Sequence, residues 1–136
     1  MTELPLILLV DDDRDTREMY AWALETGGFR VIQAATAADG ITLAAADPPD
    51  VVVSDFTLPD GNGFGLAVRV RETAELADTP LILLTGHVFS GKEQRRAVEL
   101  FDRVLLKPVL PDHLVGEIAP LVNGRNAARA LHHLDG

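Results

Sequence analysis

Apolar residues in this chain fall into five short, nearly unbroken runs, at residues 6–10, 29–34, 51–54, 81–85 and 104–106. A run without polar alternation predicts a strand covered on both faces, the pattern of a parallel sheet between two layers of helices. Longer segments of helical period follow each run. The first spans residues 16–26, with Asp15 as its expected cap, Glu18 three residues on, and Gly27-Gly28 as its stop. The second starts near Thr36, places Asp39 in the capping-box position and ends before Pro48-Pro49. The remaining three cover residues 63–76, 91–100 and 111–122. Strand then helix, five times over, specifies an α/β fold: a doubly wound five-stranded parallel sheet with helices on both faces. Ligands of such sheets bind beyond the carboxyl ends of the strands, where strand order reverses.

The 136 residues suit one domain with a full core, read here as residues 1–123. Residues 124–136 form a tail that either extends the last helix, after a break at Asn123-Gly124, or is disordered. A formal net charge of −9 argues against general binding to nucleic acid or to an anionic membrane surface. The absence of cysteine excludes disulfides, thiol catalysis and thiolate metal sites. The N-terminus lacks a basic region, and its apolar run is cut by Asp11, so neither a signal peptide nor a membrane span is expected. The default expectation is a cytoplasmic protein.

Polar residues gather where the runs end. Asp11, Asp12 and Asp13 follow the first run, Asp55 the third, Thr85 closes the fourth and Lys107 follows the fifth. The predicted fold brings these groups to one edge of the sheet. Two carboxylates about 4 Å apart repel by roughly 4 kcal/mol at an effective dielectric near 20, so the cluster needs a compensating charge. Carboxylates without neighbouring His or Cys favour a hard cation with oxygen ligands, and Mg²⁺ typically uses one or two carboxylates plus a phosphate. Asp12 and Asp55 are the expected direct ligands, with Asp11 acting through a water and the backbone carbonyl of Thr57 as a third protein ligand. A carboxylate is also a nucleophile able to form an aspartyl phosphate. Lys107 would add a second positive charge, and Thr85 a hydroxyl donor, at the phosphoryl oxygens.

Over about residues 4–123 these features resemble the receiver domain of two-component response regulators. "LLVDDDRDTRE" is similar to the opening acidic motif, in which Asp11 and Asp12 would hold Mg²⁺. "SDFTLPDGNG" resembles the phosphoacceptor motif with Asp55 as acceptor, "ILLTG" the switch motif at Thr85, and "LLKP" the Lys-Pro motif at Lys107-Pro108. Thirty residues separate Asp55 from Thr85 and 22 separate Thr85 from Lys107, as the family's order requires. The resemblance implies the flavodoxin-like (βα)₅ receiver fold and a cis peptide at Lys107-Pro108. It also implies Mg²⁺-dependent phosphorylation of Asp55 by a histidine kinase or histidine phosphotransfer protein. The output would be a change in protein contacts rather than turnover of a substrate, so an enzyme is not expected; homodimerisation is left open.

The chain departs from the family at Val104, where a Tyr or Phe usually stands three residues before the lysine. Phe101 does not replace it. Thr57 and His87 occupy positions that tune phosphate lifetime in the family. The Val104 departure favours an alternative, a phosphorylation-independent pseudo-receiver that acts as a binding module. A phosphatase of the haloacid-dehalogenase type fails on its D-x-D-x-[TV] motif, since the fifth position is Asp15 or Arg17. "GNGFG" is a turn rather than a dinucleotide loop, and the adjacent His132-His133 lack the i, i+4 spacing of helical zinc ligands.

Overall fold

The computed structural model describes residues 3–135, with side chains described through residue 124. In chain order the elements are β1 (Leu6–Val10), α1 (Arg14–Thr26), β2 (Arg30–Ala34), α2 (Ala37–Ala46) and β3 (Val51–Asp55). A short hairpin of β4 (Thr57–Leu58) and β5 (Gly61–Asn62) leads into α3 (Gly63–Glu72) and a 3₁₀ turn (Ala74–Leu76). Then come β6 (Leu81–Thr85), α4 (Gly91–Leu100), β7 (Arg103–Leu106) and α5 (Pro111–Asp135).

The five main strands form one parallel sheet in the order β2-β1-β3-β6-β7. Side chains alternate between two apolar layers, so the central runs are apolar up to the buried Ser54 and Thr85 near their carboxyl ends. Ile7, Leu9, Val51, Val53, Ile82 and Leu84 pack under α1 and α5, against Tyr20, Leu24, Leu114 and Ile118. Leu8, Val10, Val52, Leu81 and Leu83 face α2, α3 and α4, against Ala44, Phe64, Leu66, Val70 and Ala97. The outer strands β2 and β7 have one sheet neighbour each and are only partly buried. Strand order reverses between β1 and β3, where Val10 pairs with Ser54. The next residue on each strand is Asp11 and Asp55, so topology alone sets these two carboxylates side by side.

Two sequence expectations are corrected. The cap of α1 is Asp13 and not Asp15: the Asp13 carboxylate accepts from the Thr16 N–H at 3.1 Å and from the Thr16 hydroxyl. A cap must leave its backbone extended while its oxygen reaches the third residue on, and Asp13 does so whereas Asp15 already lies within the first turn. The third helix ends at Glu72, because Thr73 turns extended and donates its hydroxyl to the Arg69 carbonyl at 2.7 Å, with the 3₁₀ turn following. The backbone of α5 runs through Asn123-Gly124 without a break. The side chains of His132 and His133 lie outside the described ones.

Asp60 ties the β4–β5 hairpin to the start of α2. Its two carboxylate oxygens accept from the N–H groups of Ala37 and Ala38, both at 2.9 Å. These donors, Ala38 first and Ala37 second, hold the Asp60 carboxyl below the ordinary carboxylate value. A carboxylate with a lowered folded-state value contributes stability that is present above its unfolded value and lost as pH falls through the folded one. Carbon-detected NMR titration should therefore give Asp60 a midpoint below that of an unstructured aspartate. The stability gap between wild type and Asp60→Ala should close over the same acidic range, and a gap constant with pH would contradict this tie.

Candidate functional site

At the carboxyl edge of the sheet the β1–α1 loop supplies Asp11 and Asp12, and the end of β3 supplies Asp55. Carboxylate oxygens of all three lie within 4.8 Å of one another. Asp11 is buried, Asp55 partly buried and Asp12 exposed. One oxygen of Asp11 accepts from the Asp13 N–H at 2.9 Å, while the other, Oδ2, is buried without a hydrogen-bond partner. Burial pushes the Asp11 carboxyl above its ordinary value; the Asp13 N–H opposes this, and the charge of Asp55 adds to it.

Lys107 reaches in from the loop after β7, with Nζ 2.8 Å from Asp55 Oδ1. Burial alone would lower this amine, but the hydrogen bond and charge of Asp55 outweigh it and raise the ammonium above its ordinary value. The Lys107 N–H donates to the Thr85 carbonyl at 2.8 Å, and the Lys107–Pro108 peptide is cis. Asp55 Oδ1 also accepts from the Phe56 N–H at 3.0 Å. Thr85 is buried at the end of β6, and its hydroxyl oxygen accepts from the His87 N–H at 2.9 Å. Thr57, exposed, opens the hairpin two residues beyond Asp55.

Gly63 starts α3 against the acceptor's backbone. A Cβ there would meet Leu83 Cδ1 at 2.8 Å and the Asp55 carbonyl oxygen at 3.1 Å, and the Gly63 N–H donates to Phe56 O at 2.7 Å. Beside Thr85 lies a cleft of about 210 Å³ bounded by His87, Phe89, Val104 and Leu106. Phe89 lies parallel to the His87 ring at 6.2 Å and meets Phe56 edge-on at 5.0 Å. The valine at 104 leaves that space open.

Counted formally, three carboxylates and one ammonium give the site a charge of −2 (three negative, one positive). The donors are all oxygen, and one buried carboxylate oxygen lacks a partner, so the residues present fit a hard divalent cation. One site contact lies outside the expected constellation. Arg17 donates from Nη1 to the Asp11 carbonyl at 2.8 Å and from Nε to Gln33 at 3.1 Å, pinning the acidic loop to the end of β2. Sequence offers no signal for it, since Arg17 reads as an ordinary charge in the first turns of a helix.

The fold and the acidic edge define a signalling module of the receiver class. The family model for the response regulator receiver domain matches residues 7–119, and the chain belongs to that family. It is 37% identical over 109 residues to an uncharacterized 14.6 kDa protein of Leptolyngbya boryana, covering 80% of this chain and 83% of that one. It is 32% identical over 115 residues to the phosphate regulon transcriptional regulatory protein PhoB of Pseudomonas aeruginosa, covering 82% of this chain and 49% of the relative. The chain thus spans about half the length of that regulator. Among solved structures, the chemotaxis response regulator CheY4 of Vibrio cholerae superposes with a TM-score of 0.80 at 26% identity, over 87% of this chain and 98% of that one. A CheY-like receiver domain protein of Methanospirillum hungatei gives 0.84 at 26% identity, over 92% and 98%. Receiver domains are signalling modules that interact with histidine kinases and phosphotransfer partners. Among the described residues, no helix is long and apolar enough to cross a membrane.

Proposed function

We propose that Asp55 accepts a phosphoryl group from a phosphohistidine on a histidine kinase or phosphotransfer protein, with Mg²⁺ held by Asp11, Asp12, Asp55 and the Thr57 carbonyl. The observation that carries this reading is the convergence of Asp11, Asp12 and Asp55 within 4.8 Å beside a lysine already 2.8 Å from Asp55. When bound, the cation supplies positive charge at the phosphoryl oxygens. Asp55 Oδ1 is engaged by the Phe56 N–H and by Lys107, so Oδ2 is the oxygen that attacks phosphorus. The new O–P bond forms as the N–P bond breaks, and the donor imidazole keeps the electron pair and takes up a proton. Lys107 then moves its ammonium onto a phosphoryl oxygen, and the Thr85 hydroxyl, free to donate while it accepts from His87, bonds another. The chain turns over no substrate of its own; its product is the phosphorylated chain, whose contacts with a downstream protein change.

The test begins with the metal. Saturating Mg²⁺ at about 100 times its Kd should stabilise the fold by roughly 2.7 kcal/mol, read as a rise in Tm. Asp12→Ala, an exposed substitution, should abolish that rise. Fluorine NMR should then show one beryllofluoride bound per chain only when Mg²⁺ is present. The open cleft beside Val104 favours a second reading, a pseudo-receiver that binds partners without phosphate. Folded protein that binds neither Mg²⁺ nor beryllofluoride would establish that reading instead.

A further inference from the structure

The loop that delivers Lys107 is held from the front by the Lys107 N–H on Thr85 and by the Lys107–Asp55 ion pair. From behind it faces an open cleft of about 580 Å³ between α1 and residues 107–111. One polar tie crosses that gap. The Tyr20 hydroxyl, on a side chain 3% exposed, donates to the Val109 carbonyl at 2.6 Å, across 89 positions of sequence. Among the described residues it is the hydrogen bond that joins α1 to this loop. A buried phenol needs a partner for its O–H, and here the partner is the carbonyl two residues beyond the lysine. Burial raises the phenol above its ordinary value despite the nearby Lys107 charge, so it stays a protonated donor at neutral pH.

We infer that Tyr20 is a positioning residue for the phosphoacceptor site: its hydroxyl clamps the Val109 carbonyl to α1 and thereby sets where Lys107 meets the group on Asp55. The inference rests on the phosphoacceptor reading and extends it to a residue that touches neither the metal ligands nor the phosphoryl position. The ring itself is packed among Leu24, Leu105, Leu114 and Ile118, so removing the hydroxyl alone leaves the packing in place.

The experiment is a double-mutant cycle on beryllofluoride affinity in saturating Mg²⁺, measured by fluorine NMR with Tyr20→Phe, Lys107→Ala and the pair. Tyr20→Phe should weaken binding about tenfold, the scale on which supporting-shell changes act. In the Lys107→Ala background the same change should do almost nothing, because the clamp acts through the lysine. Equal weakening in both backgrounds would show a general packing role and overturn the inference, as would unaltered binding by Tyr20→Phe. A second readout guards against a global effect: the Lys107 side-chain ammonium resonance should shift in Tyr20→Phe while the Tm in urea-free buffer still reports a folded chain. Wild-type protein that binds no beryllofluoride would overturn the phosphoacceptor reading itself, and the clamp with it, which separates that failure from a failure of the clamp alone.

Discussion

Asp55→Asn is expected to take up no phosphoryl group from acetyl phosphate in Mg²⁺, where the wild type takes up one per chain as read by intact mass. The loss should exceed about a hundredfold in rate, because an amide oxygen is not a nucleophile that a nearby base or low pKa can rescue. The fold should survive. The amide oxygen can still accept from the Phe56 N–H, and removing one of three converging carboxylates relieves repulsion at the edge. Against this, Lys107 loses its partner, but its side chain is 31% exposed and recovers water. The two changes oppose each other, so unfolding midpoints should stay close. Residual phosphorylation of the variant on Asp11 or Asp12, located by peptide mapping, would move the acceptor and refute the assignment.

The second large effect lies at the other end of the sheet. Arg71→Ala should destabilise the fold by about 3 kcal/mol, since hydrogen bonds to a charged group contribute roughly 1.5–3 kcal/mol each and do not add fully. Arg71, near the end of α3, donates from Nη1 to the carbonyls of Ala77 at 3.0 Å and Thr79 at 2.6 Å, and from Nη2 to that of Leu100 at 3.2 Å. It also meets Asp102 at 3.4 Å, and Asp102 in turn accepts from the Leu81 N–H at 2.8 Å. The ion pair itself is partly exposed, so most of the effect comes from carbonyls left without a donor. Such a loss is a large share of the roughly 5–15 kcal/mol that holds a domain folded. Urea denaturation should show the drop with an unchanged slope, and a change below about 1 kcal/mol would mean that water replaces the guanidinium.

Arg71 also marks what sequence reading cannot reach. The three central strands, their parallel sense and the residues at their carboxyl ends follow from apolar runs, because burial on both faces selects apolar residues. The partly buried β2 and β7 keep Arg30, Gln33 and Arg103 and are legible only from their place between helices. The placement of Asp11 beside Asp55 follows from topology, and Lys107 from its position after the last strand. Arg71 and Arg17 carry no such signature: each sits on a helix where a cation is ordinary, and only the three-dimensional path of another loop turns it into a tie. Tyr20 is intermediate. Its burial on an amphipathic helix announces that the hydroxyl has a partner, but not that the partner lies 89 residues away. The shift of the first helix cap to Asp13 is a different kind of miss, since three neighbouring aspartates offer the same chemistry and only backbone dihedral angles choose among them.

The hairpin after Asp55 is moored at its tip, by Asp60 on α2, and at its base, by the close seat of Gly63 against β3. A segment held this way has little conformational freedom left to surrender when another molecule arrives. In the proposed reaction the search for the right approach therefore falls on the incoming donor, which must bring its phosphorus to a target that already stands still. Encounter then costs mainly the donor's own ordering, and a pre-set nucleophile converts a chance collision into something close to an intramolecular transfer.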